Sequence, residues 1–400
     1  MKIGKTLLTP DLIERFTSQG YWVDTTTNEA LERNAREFPD KGALVDHRRC
    51  LTYREFYQMV QRLAAHWISL GLTRDDVIAV QLPNWVEYSI VVNSAIMVGI
   101  PFCHFHSDFR SKEVEFILDF TGATALVIPK YFRKFDHLAM IQDLRPQLPE
   151  LKHILVVGDD TPNDMFDLRA FLESEGSLSV SKEELRCLRP HGNDFARVAF
   201  TSGTTGDPKA VLHIHNTTNS ACRFSNREHA ITSDSTILLF LPVGLNWGLM
   251  HTVQALLAGC KLVFMDIFNP EKALQLIEGE GVTHFYTAPT GLVAMLNVKD
   301  FKHYDLSSLK VVVVGGASCP IEIIRQWRAN VPGHLVDYYG MLETGIQSCT
   351  RLTDDPEEVC GLVGRPVPEV GSKVVDDEFR EVSPGTVGEI ASFGPTVTIG

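Results

Sequence analysis

The chain has 400 residues, 44% of them hydrophobic and 22% charged, with a formal net charge of −13 at pH 7. That composition excludes a disordered or fibrous chain and supplies material for roughly two or three packed units. The acidic balance argues against a nucleic-acid partner or an anionic membrane surface, because a basic stripe is the usual footprint of both.

In chain order, the opening MKIGKTLLTPDLIERF has no apolar core followed by a small-residue cleavage site, so the expectation is a cytoplasmic address. Eight cysteines (Cys50, Cys103, Cys187, Cys222, Cys260, Cys319, Cys349 and Cys360) follow no CxxC or regular spacing, which indicates buried, reduced thiols rather than a zinc site or a disulfide framework. Short β-branched runs recur: ALVIP (125–129), HILVV (153–157), RVAF (197–200), KLVFM (261–265), HFYTA (284–288) and KVVVV (310–314). Stretches of helical spacing, such as EKALQLIEGEG and CPIEIIRQWRAN, separate them. Strands alternating with helices predict parallel α/β sheets. A seam at CLRPHGND (187–194) divides an early half, 1–190, from a later one, 191–345. From about 346 to 400, Gly and Pro become frequent and short strands such as SKVVD and GEIASFG predict a small all-β unit. Residues 237–260 run without a charge, which is long enough for a bilayer. Pro242, Gly244, Asn246 and Gly248 interrupt them, and the pattern divides into a buried strand, a loop and a helix.

Chemistry concentrates in three places. FTSGTTGDPKAV (200–211) follows an apolar strand with hydroxyls, two glycines and a mobile lysine, a supply of N–H and O–H donors suited to an anion. It is no Walker loop, since Gly203 and Gly206 stand too close and Lys209 precedes Ala210. Nor is it a nucleophile elbow, because Phe200 stands where the elbow needs glycine. A flexible surface turn is the plain alternative. Next, Val311–Val314 lead into Gly315-Gly316-Ala317-Ser318, where a planar ring could lie against bare backbone. Finally, DYYGMLETG (337–345) adds the faces of Tyr338 and Tyr339, Gly340 and the carboxylate of Glu343. Taken singly these also read as a β-to-α turn, core tyrosines and an exposed acid. Two HxH pairs, His104 with His106 and His213 with His215, lack a third ligand in view.

In this order and spacing, FTSGTTGDPKAV, GGAS, DYYGMLET and GEIASFGP resemble the acyl-adenylate-forming superfamily, with an overall look nearest to CoA ligases for aryl or alicyclic acids. The resemblance implies two parallel-sheet α/β subdomains in layers plus a small C-terminal β-barrel-like subdomain. It implies that Thr201, Ser202, Gly203, Thr204, Thr205, Gly206 and Lys209 hold the ATP phosphates, with Lys209, Thr204 and Glu343 as the catalytic set and Glu343 as the Mg²⁺ ligand. Gly316, Ala317, Ser318, Asp337 and Tyr338 would frame the adenine, and Tyr339, also counted with the ATP site, would stand with Gly340 near the reacting carboxylate. Asn246, Trp247, Pro289, Gly315, Gly340 and Met341 would line the acid pocket. The implied substrates are ATP, a carboxylic acid and CoA.

Departures from the pattern are Leu342 where many members carry Thr, Ala210 after the lysine and Leu245 where aryl-acid members often carry His. The family's mobile C-terminal domain, bearing the adenylation lysine, does not follow PTVTIG; the expectation is an N-terminal portion that adenylates weakly. An adenylation enzyme that loads a carrier protein and a non-catalytic nucleotide-binding module stay open as alternatives. So does the oligomeric state, a homodimer included.

Overall fold

The computed structural model describes residues 6–173, 180–201 and 208–400. Its α/β body contains two large sheets. The larger has nine strands in the order Arg365–Pro366, Gly345–Cys349, His334–Met341, Val311–Gly315, His284–Thr287, Thr236–Leu239, Lys261–Phe264, Gly42–Val45 and Cys50–Thr52. The smaller has seven: Ala210–Ile214, Phe195–Phe200, Phe102–His104, Ile78–Val80, Ala125–Pro129, His153–Val157 and Phe166–Asp167. Pairing is parallel through the middle of both and antiparallel at edges. Charge-free, β-branched strands suit a parallel sheet because helices cover both of its faces.

Alternation along each strand sorts the core into layers. Val311 and Val313 join Ile237, Leu239, Ile78 and Val80 in a central core shared by both sheets, whereas Val312 and Val314 turn to a separate cluster with Ile277, Ile324 and Trp327. Leu126, Ile128, Ile154 and Val156 face a third cluster with Ile117 and Ile141. The result is helix, sheet, helix, sheet, helix. At the centre runs Val86–Met97, whose twelve residues are all buried; a helix buried on every side belongs between two layers.

The strands expected at 125–129 and 153–157 form as read, and 237–260 resolves into the strand Thr236–Leu239, a loop and the helix Asn246–Ala258. No helix among the described residues is long and apolar enough to cross a membrane. Sheet membership departs from the expected division at 190. Phe195–Phe200 and Ala210–Ile214 complete the sheet built by the early chain, while Gly42–Val45 and Cys50–Thr52 extend the later one. Gly345–Cys349 and Arg365–Pro366 likewise belong to the nine-stranded sheet, leaving the hairpin Gly371–Val375 with Glu389–Phe393 as a separate β element. The cysteines are all free, but Cys50 and Cys187 are exposed rather than buried.

Candidate active site

Three segments converge at the C-terminal ends of the parallel strands, the usual position for a ligand in an open α/β sheet. The first is a hairpin: Phe195–Phe200 pairs antiparallel with Ala210–Ile214, Phe200 opposite Ala210. At its open end the Thr201 N–H donates to the Lys209 carbonyl at 3.0 Å, and the Lys209 N–H returns to Thr201 Oγ1 at 3.4 Å. Lys209 is exposed. Ser202, Gly203, Thr204, Thr205 and Gly206 lie outside the described residues, so the structure positions the two ends of the expected phosphate cradle and not its middle.

The second segment is the turn between His334–Met341 and Gly345–Cys349, which carries Glu343. His213, on the strand that follows Lys209, donates from Nε2 to the Leu342 carbonyl at 2.9 Å. Its Nδ1 lies 3.1 Å from Thr217 Oγ1, whose hydroxyl donates to the Ile214 carbonyl at 2.9 Å. Burial drives this ring's pKa well below the ordinary histidine value, assisted by the Arg197 charge, so the ring is neutral and its one proton serves the Leu342 carbonyl. Further along, the Thr398 N–H donates to the Glu343 carbonyl at 2.6 Å and Thr398 Oγ1 to Leu212 at 2.6 Å. Thr396 Oγ1 donates to Thr344 at 2.6 Å. Lys209 and Glu343, far apart in sequence, are thus tied to one scaffold. Glu343 itself is half-buried.

The third segment is the loop after Val311–Gly315. The strand is buried, and Gly316, Ala317 and Ser318 emerge exposed. Gly316 sits at φ +76°, and a Cβ on Gly315 would stand 2.6 Å from the Tyr338 carbonyl and 3.2 Å from Trp247. Glycine is required at 315 chiefly because the Tyr338 carbonyl stands so close, with Trp247 packed tightly beside it. Trp247 stacks on Tyr338 with centroids 5.5 Å apart and planes at 15°, and meets Tyr286 edge-on at 6.2 Å. His251 lies 3.9 Å from Tyr286, whose hydroxyl accepts from Gln254 Nε2 and bonds to His229 Nδ1, both at 2.9 Å. These side chains form an aromatic box between the helix Asn246–Ala258 and the sheet.

Tyr338 therefore belongs with Trp247, among the residues expected for the acid pocket. Alternation along the strand turns Asp337 and Tyr339 to the opposite face, so the structure does not pair the side chains of Asp337 and Tyr338 as an adenine frame. Asp337 is buried, its Oδ2 lacks a partner among the described residues, and burial pushes the carboxyl up to about 6. Pro289 caps the neighbouring strand end, at the start of Pro289–Leu296. Gly340 pairs with Ile346, and Met341, opposite Gly345, is 39% exposed.

Sequence reasoning passed over His213, read only as half of an HxH pair; His215 begins the next helix instead, so the two rings do not share a strand face. Tyr286 and His251 gave no signal before folding. Arg197 did: a lone arginine inside the strand FARVAF is a charge where burial is expected.

A family model described as AMP-binding enzyme matches residues 31–400. The chain is 31% identical over 394 residues to the 2-hydroxy-7-methoxy-5-methyl-1-naphthoate-CoA ligase of Streptomyces carzinostaticus, covering 96% of this chain and 70% of that protein. It is 29% identical over 388 residues to the medium-chain fatty-acid-CoA ligase of Escherichia coli (strain K12), covering 96% and 67%. Among solved structures, the apo structure of Mycobacterium smegmatis MbtA matches with a TM-score of 0.87 at 26% identity, covering 99% of this chain and 72% of that one.

Proposed function

Because the chain belongs to the AMP-binding enzyme family, we propose that it activates a carboxylic acid with ATP and passes the acyl group to the thiol of CoA, the acid being aryl, alicyclic or medium-chain. One carboxylate oxygen attacks the α-phosphorus, the bond to the β-phosphate oxygen breaks, and pyrophosphate leaves with the electron pair. The thiolate sulfur then attacks the acyl carbon and AMP departs. No protein nucleophile enters either step. The residues hold reactants in line and neutralise the polyphosphate, where preorganised donors are worth most.

Thr201 and Lys209, with 202–206 between them, are proposed to hold the β- and γ-phosphates. Glu343 would bind Mg²⁺, an oxygen-preferring ion that offsets charge on the leaving group. Gly316, Ala317 and Ser318 form the open floor for adenine, with Tyr339 at its edge, and the Asp337 carboxylate, whose Oδ2 has no partner among the described residues, accepts from the exocyclic amine. Asn246, Trp247 and Tyr338 face the acid.

The observation that carries this reading is the hydrogen bond from His213 to the Leu342 carbonyl, which ties the cradle hairpin to the turn bearing the expected metal ligand. The test is acid-dependent exchange of labelled pyrophosphate into ATP across a panel of aryl, alicyclic and medium-chain acids, together with calorimetric binding of the matching acyl-sulfamoyl adenosines. Exchange with at least one acid and saturable binding of its analogue are expected. Neither exchange nor binding across the panel would overturn the proposal.

A further inference from the structure

Arg197 is 2% exposed, in the middle of the strand Phe195–Phe200. A buried guanidinium ordinarily has a carboxylate, since an unpaired charge away from water is costly. Here no carboxylate pairs with it among the described residues, and burial lowers its pKa only to about 10. It stays a cation at neutral pH, held by neutral groups. Nε donates to Thr218 Oγ1 at 3.2 Å, one terminal nitrogen approaches His104 Nε2 at 3.4 Å, and the other donates to Asn246 Oδ1 at 2.8 Å.

Each partner is forced into one orientation. His104 Nδ1 lies 3.1 Å from the Val243 carbonyl, so that nitrogen carries the proton and Nε2 offers its lone pair to Arg197. Arginine has donors only; the Asn246 amide must therefore turn its oxygen inward and its Nδ2 outward. Asn246 is half-buried at the start of its helix, and Nδ2 has no partner among the described residues. The next residue, Trp247, lies against Tyr338 and Gly315.

We propose that Arg197 is a positioning residue for acid selection: it locks Asn246 with two N–H donors presented to the acid pocket, so that the pocket favours an acid carrying a hydroxyl or carbonyl oxygen over a hydrocarbon acid of the same size. The uncompensated cation behind the amide polarises those donors and strengthens the preference for an electron-rich oxygen. A methionine of similar length would free the amide to flip. Lysine would keep the charge but lose the three-way geometry.

The inference rests on the ligase reading, and one experiment separates their failures. Pyrophosphate exchange is measured for wild type, Arg197→Met, Arg197→Lys and Asn246→Ala with benzoate, its three monohydroxy isomers, cyclohexanecarboxylate and 4-oxocyclohexanecarboxylate. Wild type should prefer at least one oxygenated acid over its parent in kcat/KM. Arg197→Met should reduce that ratio about tenfold with KM for ATP unchanged, and Arg197→Lys should restore part of it. Asn246→Ala, at a half-exposed position, should reproduce the loss even if Arg197→Met fails to fold. A wild type that prefers the parent acids, or an unchanged ratio in Asn246→Ala, overturns the inference and leaves the ligase reading standing. Exchange with none of the acids, together with no binding of their acyl-sulfamoyl adenosines, sinks both.

Discussion

Replacing Asp337 with asparagine probes the adenine side of the site through stability as well as binding. The side chain is 7% exposed, Oδ2 has no partner among the described residues, and burial raises the carboxyl from 3.8 to about 6 against a partial opposing pull from Arg328. A rise of about two units, at about 1.4 kcal/mol each, means that keeping Asp337 ionised above pH 6 costs the fold about 3 kcal/mol. The folded value is the raised one. Its contribution to stability is therefore complete below pH 3.8 and is lost as pH rises through about 6. Asp337→Asn removes the charge but leaves a buried amide that also lacks a partner. The variant should be more stable than wild type by about 1–3 kcal/mol near pH 7.5, the gain shrinking to nothing toward about pH 4. Urea unfolding of both proteins across that range reads the difference, and contributions from other titrating groups cancel. ATP affinity should fall in parallel as the carboxylate acceptor is lost. A variant destabilised equally at every pH would show that Asp337 is not a strained carboxylate and would refute the reasoning.

Gly315→Ala forces a Cβ to within 2.6 Å of the Tyr338 carbonyl oxygen and 3.2 Å of Trp247; a loss of about 1–3 kcal/mol in chemical denaturation is expected, and wild-type stability would contradict the packing. Burial holds His104, His229 and His251 down at about 3 and His215 and His284 at about 4. Their stabilisation is complete above 6.5 and is lost as pH falls through those values, so unfolding near pH 5 should take up about five protons from these rings by potentiometry, and uptake below one would show that the rings are not buried neutral. Glu343→Gln should raise the Mg²⁺ concentration needed for half-maximal exchange about tenfold, while changing stability by no more than about 0.5 kcal/mol; an unchanged Mg²⁺ requirement would remove Glu343 from the metal site.

Local signals carried far along this chain. ALVIP and HILVV read as strands because apolar runs of five residues are too short for a buried helix and carry β-branched side chains. The 24 charge-free residues from 237 to 260 were separable because Pro242 and Gly244 break the run before the helix begins at Asn246, whereas Gly248 is absorbed within that helix. The division at 190 was not legible: a hairpin can pair with whichever sheet offers a free edge, and Phe195–Phe200 found Phe102–His104 ninety-odd residues earlier. Tyr338 illustrates the same limit. Adjacent tyrosines announce aromatic faces, but which of the two meets Trp247 depends on how the strand is set against Val311–Gly315.

By itself, the sequence determined the chemistry on offer: a donor-rich loop with a lysine, a bare glycine edge and a carboxylate after paired tyrosines, in the order of one enzyme family. Only the tertiary structure decided which of these meet, and through what. His213 reaches Leu342 across 129 positions, and Arg197 reaches Asn246 across 49. Such contacts leave no periodic trace, because the geometry that makes them is set when whole layers pack and not by the residues on either side.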